Sequence, residues 1–203
     1  SKMSKAGALF DMVKLADVSK NYICRLSAEE VYEMVTDWAK ENNKKLYKLL
    51  VDDEEYAKAI FAIERGNAKP RKDISAWTDV ENYVSYFYSE LWDRKFDFPD
   101  NLSNDDMIEI LELYKQIYDE NVSSDDWFPQ VRDMAETIGY AKAPKVYKKD
   151  PDSYKGHVGD VAGVIRVAAT GRRNTPDLYE ILQVLGKDEE MKRFDEVIES
   201  SRG

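Results

Sequence analysis

Three arginines surround one short turn in "VIRVAATGRRNTPDLYEILQVLG", residues 164–186: Arg166 within an apolar stretch, then Arg172 and Arg173 just after Gly171. A guanidinium presents five N–H donors in a planar fork that matches phosphate oxygens and base edges. Val164, Ile165 and Val167 flank Arg166, so its stem is expected to sink into apolar surface while its head finds a polar partner. That partner is either a neighbouring Asp or Glu, or a base edge or phosphate. Thr175 and Pro176 read as N-cap and first helical residue of a following helix. They would aim the positive end of that helix at the same spot. The chemistry on offer is recognition of anions and bases, without bond making.

The other residues capable of chemistry point elsewhere. Cys24 and His157 are each the single residue of their type, which excludes a disulfide framework, a cysteine zinc site and most histidine-dependent catalysis. The acidic pairs in "DDEE", "NDDM" and "SSDDW" sit at expected helix starts, where capping and the dipole account for them. "GHVGDVAG" lacks the preceding strand and spacing of a dinucleotide fingerprint and the flanking strands of a KH loop. Gly159 and Gly163, four apart, are instead expected where another helix approaches closely. Tyr83, Tyr86, Phe87, Tyr88 and Trp92 could stack bases, but their spacing places most of them in a core.

Charge is unevenly distributed. The 203-residue chain carries −10 overall, which argues against nucleic acid as a partner. Residues 139–173, however, hold eight basic residues (Lys142, Lys145, Lys148, Lys149, Lys155, Arg166, Arg172, Arg173) against three acids (Asp150, Asp152, Asp160). That local +5 leaves 22 basic and 37 acidic residues, or −15, in the rest. A basic island on an acidic body fits local phosphate binding, with the remainder repelling RNA from other faces.

The elements that must position these groups are helices. Ser27 and Glu30 form a capping box ahead of a Val31, Met34, Val35, Trp38 stripe. A second helix runs from "DDEE" to Arg65-Gly66, and the aromatic segment "SAWTDVENYVSYFYSELW" reads as a third. Ser103 or Asn104 opens a helix striped by Met107, Ile110, Leu111 and Tyr114. Others start at the Ser-Asp pairs after Val122, at Thr175 and near Asp188. No stretch alternates with period two for long enough to be a strand. The expectation is an all-α protein of two packed helical subdomains, residues 1–97 and 98–203, divided at "RKFDFPDNLSNDD". Residues 140–159 read as a long irregular loop of the kind that carries function. No apolar run reaches the roughly 18 residues of a membrane span, so no membrane partner and a cytoplasmic location are expected.

Taken together, "GHVGDVAGVIRVAATGRRNTPDLYEILQVLG" resembles the C-terminal anticodon-binding domain of bacterial glutamyl-tRNA synthetases, with their "LR.AL.TG...(S/T)P.L.E.L..LG" pattern. "GALFDMVKLADVSKNYI" is similar to the "FD..KL.W.N..YI" segment that opens the family's stem-contact helical bundle. The N-terminal "KMSK" resembles the ATP-handling loop of class I synthetases only superficially, since neither a HIGH-like motif nor a nucleotide-binding fold accompanies it. The resemblance implies a non-catalytic fragment that binds glutamate tRNA by stem and anticodon. It has no cofactor of its own; the parent ligase would use ATP and magnesium in a catalytic half on the same polypeptide.

Residue by residue, the resemblance carries Arg166, Thr175, Pro176 and Leu178 onto anticodon contacts. Arg71 of "AKPRKDISAW" takes the place of the bundle-loop arginine, with Arg65 as the alternative. Arg172, Arg173 and the loop lysines Lys142, Lys145, Lys148 and Lys149 are expected to hold the RNA backbone. Gly163 stands where some relatives carry a polar residue, and Ile165 replaces their leucine. The competing reading is an acidic helical protein–protein module whose basic loop docks an acidic partner.

Overall fold

The computed structural model describes residues 11–100 and 102–203; the "KMSK" stretch and residues 7–10 of the bundle-opening segment lie outside these. The chain forms two compact units, one ending at Ser85 and the other running from Tyr86 to Gly203. Among the described residues the structure is all helical, with eleven α-helices, three 3₁₀ turns and one isolated parallel bridge, Ala141 to His157.

In the first unit, α1 (Met12–Ile23) is capped by Asp11, whose carboxylate accepts from the Val13 and Lys14 N–H groups. Helix α2 (Ala28–Asn42) opens with the expected Ser27/Glu30 capping box. Its inner face differs from the expected stripe: Val31, Tyr32, Val35, Thr36 and Ala39 are buried, while Met34 is 40% exposed. Asn43 and Asp53 then restart the chain as α3 (Lys44–Asp52) and α4 (Glu54–Ala62) by capping each in turn. Helix α4 stops before the expected Gly66, because Glu64 takes a left-handed backbone at φ 55°.

The aromatic segment is a broken helix: a 3₁₀ turn at Trp77–Asp79, α5 (Val80–Val84) and a second turn at Ser85–Phe87. Tyr86, Phe87 and Tyr88 are all buried. Successive residues of a regular α-helix point about 100° apart, so one face could not bury all three. Burial of the aromatic cluster itself matches the expectation.

The second unit is built from α6 (Asn104–Ile117), α7 (Ser124–Thr137), α8 (Pro144–Tyr147), α9 (Val158–Thr170), α10 (Leu178–Leu185) and α11 (Lys187–Ser201). Ser103 and Ser123 cap α6 and α7, and the Met107, Ile110, Leu111, Tyr114 stripe is buried. Helix α9 is central, touching α6, α7 and α11. Residues 86–97, assigned by sequence to the first subdomain, fall in the second unit for a packing reason. The Arg193 guanidinium lies 4.1 Å over the Trp92 ring, and the Asp97 N–H donates to the Gly171 carbonyl at 3.0 Å.

Candidate nucleic-acid interface

Helix α9 begins at His157, whose Nδ1 accepts from the Gly159 N–H at 3.0 Å while Asp160 accepts from the His157 N–H at 2.7 Å. The lone histidine is therefore a helix cap. Val158, Val161, Val164, Ile165, Val167, Ala168 and Ala169 turn inward. The outward stripe is Gly159, Ala162, Gly163 and Arg166. The expected close helix approach at the two glycines is absent. A Cβ at Gly163 would meet nothing within 4 Å, and one at Gly159 would meet only the His157 ring. Gly163 instead leaves an open notch one turn before Arg166.

The helix ends where Gly171 adopts φ 77° and its N–H closes on the Val167 carbonyl at 2.7 Å. Glycine is required twice over at this position. The left-handed backbone disfavours a side chain, and an added Cβ would collide with the Lys95 carbonyl.

The Arg166 head turns into the corner that follows. Its Nη1 donates to the Pro176 carbonyl at 2.7 Å, to the Thr175 carbonyl at 3.4 Å and to the Thr175 hydroxyl. Thr175 in turn donates to the Pro176 carbonyl at 3.0 Å. With its hydroxyl engaged this way, Thr175 is not the N-cap that the sequence suggested. Helix α10 starts later, at Leu178, capped by the Asp177 carboxylate on the Glu180 N–H at 2.9 Å. A carboxylate already satisfies that helix end, so anion recognition falls to the side chains of the corner.

Arg172 lays its guanidinium 5.3 Å over the Tyr86 ring. Arg173 donates to the Asp97 and Phe98 carbonyls at 2.8 and 2.6 Å and pairs with the Asp97 carboxylate at 2.9 Å, yet 47% of its side chain stays exposed. Thr175, Pro176 and Leu178 are buried. Leu178, at 3% exposure, anchors the corner from inside and offers a ligand no side-chain surface.

At the other end of α9, the stretch read as one long loop carries α8 and a 3₁₀ turn at Pro151–Ser153. Its two ends are stitched together. The Lys155 N–H donates to the Gly139 carbonyl, the Ala141 N–H to Gly156 and the Val158 N–H to Ala141, at 2.8–3.0 Å. Lys142, Lys145, Lys148 and Lys149 are all exposed on this platform. Lys142 has Glu136 at 3.9 Å; among the described residues the other three make no ion pair. Lys155 is different: its ammonium donates to Asp106 at 2.8 Å and Glu109 at 3.0 Å, and those bonds hold its pKa well above the ordinary lysine value. It fastens the platform to α6. The 13 residues of α9 separate the lysine platform from the arginine corner by about 20 Å at 1.5 Å per residue.

Arg71 belongs to the first unit, where its guanidinium forms a two-bond fork with Asp73 at 2.7 and 2.9 Å. Arg65 is committed to backbone, donating to the Phe61, Ile23 and Leu26 carbonyls. Sequence reasoning missed Asp177, the stitched base of the platform and the removal of Lys155. The serine–aspartate caps elsewhere in the chain are the pattern that could have flagged Asp177.

Cationic groups thus gather at both ends of α9, and residues 152–198 match the sequence model of the family described as "Anticodon binding domain". The match lies within the second unit. Across nearly its whole length the chain is similar to glutamate–tRNA ligases. It is 44% identical to that of Clostridium perfringens strain SM101 (95% of this chain, 36% of the ligase) and 40% identical to that of Acetivibrio thermocellus (98% and 36%). It is also 44% identical to that of Sorangium cellulosum (92% and 33%). The chain therefore spans about a third of the length of these curated relatives.

Proposed function

We propose that this chain is the tRNA-recognising C-terminal part of a glutamate–tRNA ligase, reading the anticodon and stem of glutamate tRNA and contributing no bond chemistry itself. The observation that carries the proposal is the anticodon-binding match over residues 152–198, which spans both α9 and the arginine corner. Arg166 serves this reading in two ways. Three bonds to Thr175 and Pro176 fix the corner, and Arg166 follows the open position of Gly163 by one turn of α9, where an unstacked base would lie. Arg172 and Arg173 flank the site, and Lys142, Lys145, Lys148 and Lys149 hold backbone phosphates. Thr175, Pro176 and Leu178 give the corner its shape, and Arg71, oriented by Asp73, adds a contact from the first unit. Aminoacylation, with its ATP and magnesium, belongs to the two-thirds of the ligase that this chain does not span. Among the described residues no group of three or more His, Cys, Asp or Glu is placed to hold a metal ion. The setting is the cytoplasm, where tRNA is charged; no described helix is long and apolar enough to cross a membrane.

Filter binding with glutamate tRNA and an anticodon-swapped version tests this. Arg166→Ala should cost about 1–3 kcal/mol on the cognate tRNA and far less on the swapped one, whereas Lys148→Ala should weaken both alike. Wild-type binding that ignores the anticodon would refute the proposal.

A further inference from the structure

The base of the arginine corner is held by an arginine that the tRNA-binding reading does not use. Arg193, in the second turn of α11 and 1% exposed, donates from Nη1 to the Ala169 carbonyl at 2.5 Å and from Nε to the Glu189 carboxylate at 2.8 Å. Its guanidinium also lies 4.1 Å over the Trp92 ring. These contacts tie the last turn of α9 to residues 92–98. That segment reaches Gly171 through the Asp97 N–H at 3.0 Å and supplies the Asp97 and Phe98 carbonyls that orient Arg173. A Cβ at Gly171 would stand 3.3 Å from the Trp92 indole nitrogen, so the ring lies against the corner itself.

Three residues before Arg193 on the same helix, Glu190 is fully buried, and neither of its carboxyl oxygens has a hydrogen-bond partner. It lines a cavity with room for about one water, where α6, α7 and α10 meet α11. The other titratable groups on that cavity are Tyr114, Tyr118 and Asp119; α7, α9 and α10 bring none. Burial raises both phenols above their ordinary value, Tyr118 to about 12, so both keep their protons below pH 9. The Asp119 carboxylate accepts from the Asn121 N–H at 2.9 Å, and the Lys187 ammonium lies 5.8 Å from the Tyr118 ring centre. Arg193 is the cation whose charge acts on Glu190. While the carboxyl holds its proton it offers a guanidinium little. Once ionised, a buried carboxylate without partners is strongly unfavourable, and a side chain three residues along a helix is a neighbour within its reach.

We propose that Glu190 is a proton-operated release for the arginine corner. When its carboxyl O–H gives the proton to water, the carboxylate draws the Arg193 guanidinium off the Ala169 carbonyl and the Trp92 ring, and residues 92–98 loosen from Gly171 and Arg173. The consequence for RNA rests on the tRNA-binding proposal: a loosened corner holds the anticodon less well. By linkage, bound tRNA makes Glu190 hold its proton more tightly.

Fluorine NMR of the 203-residue chain labelled with 5-fluorotryptophan, from pH 6 to 9.5, tests the release without RNA. Trp127 stands on the cavity wall with its indole N–H on the Tyr114 hydroxyl at 2.9 Å, and reports ionisation; Trp92 reports release. In wild type both resonances should titrate together near pH 8, and in Glu190→Gln neither should. Trp127 titrating while Trp92 stands still means that water meets the carboxylate in its cavity and Arg193 stays in place, which overturns the inference. Absence of any titration, or a Trp92 titration that persists in Glu190→Gln, overturns it as well. Filter binding carries the test to function. If only the protonated form binds, about one-tenth of the wild-type chain is competent at pH 9. Cognate affinity relative to Glu190→Gln should therefore fall by up to about tenfold between pH 6.5 and 9. A ratio of wild type to variant that does not change with pH overturns the link to tRNA. If neither protein binds tRNA at any pH, the tRNA-binding proposal falls, while the two tryptophan resonances still decide whether the release exists.

Discussion

Glu190 provides a sharp quantitative test of how the second unit is assembled. It sits in the first turn of α11, fully buried, and neither carboxyl oxygen has a hydrogen-bond partner. It shares a 10 Å³ cavity, room for about one water, with Tyr114, Tyr118, Asp119, Val131 and Leu182. Burial pushes its pKa up to about 8 from an ordinary 4.5, and the attraction of Arg193 on the same helix only partly offsets that. The carboxyl is therefore neutral in the folded chain at pH 7 and ionised in the unfolded one. Between pH 4.5 and 8 the folded state binds the extra proton, so stability falls as pH rises through this window and levels off above it. At about 1.4 kcal/mol per pH unit, the interval from 4.5 to about 8 amounts to at most about 5 kcal/mol of opposition to folding. Glu190→Gln keeps the shape and removes the ionisation. Urea unfolding at half-unit steps from pH 4.5 to 9 should give near-equal stability of variant and wild type at the acid end. The variant's advantage should then grow to several kcal/mol by pH 8. An advantage that stays constant across the range would show that Glu190 does not titrate with a raised pKa and would refute the reasoning.

Two further perturbations test the corner. Gly171→Ala should destabilise the second unit by about 2–4 kcal/mol, from the left-handed backbone and the collision with the Lys95 carbonyl; thermal melts read this directly. Asp177→Ala should cost about 1 kcal/mol through loss of the α10 cap, and Asp177→Asn should restore most of it in the same denaturation assay.

The fold class and most helix starts were legible because they are local. Ser27, Ser103 and Ser123 each accept from a backbone N–H three residues on, and that geometry needs nothing beyond the neighbouring chain. What escaped depended on distant partners. The sequence places residues 92–97 in the first subdomain, yet Gly171 and Arg193 draw Asp97 and Trp92 into the second unit. Gly159 and Gly163 had a packing motif's spacing but face outward, a distinction periodicity cannot make for an apolar helix with a narrow open stripe. Thr175-Pro176 fits a helix start as well as Asp177 does, and the choice is made by Arg166, nine residues upstream, which engages the threonine hydroxyl.

That engagement bears on how a single arginine could both build a site and, under the proposed function, read a base there. An exposed guanidinium on a flexible stem must be ordered when its ligand arrives, which costs affinity. Here the cost is met on folding, because Arg166 is already fixed by two carbonyls and a hydroxyl that belong to the corner it serves. These carbonyl and hydroxyl partners orient the guanidinium without themselves bringing a formal negative charge. Arg172 also lies over the Tyr86 ring, and Arg173 donates to the Asp97 and Phe98 carbonyls while meeting the Asp97 carboxylate. The loop lysines show the opposite strategy: three of them are exposed and make no ion pair among the described residues, suited to a strand whose path along the phosphates need not be unique. Under the proposed function, oriented forks at one end of α9 would discriminate and exposed ammonium groups at the other would hold the strand.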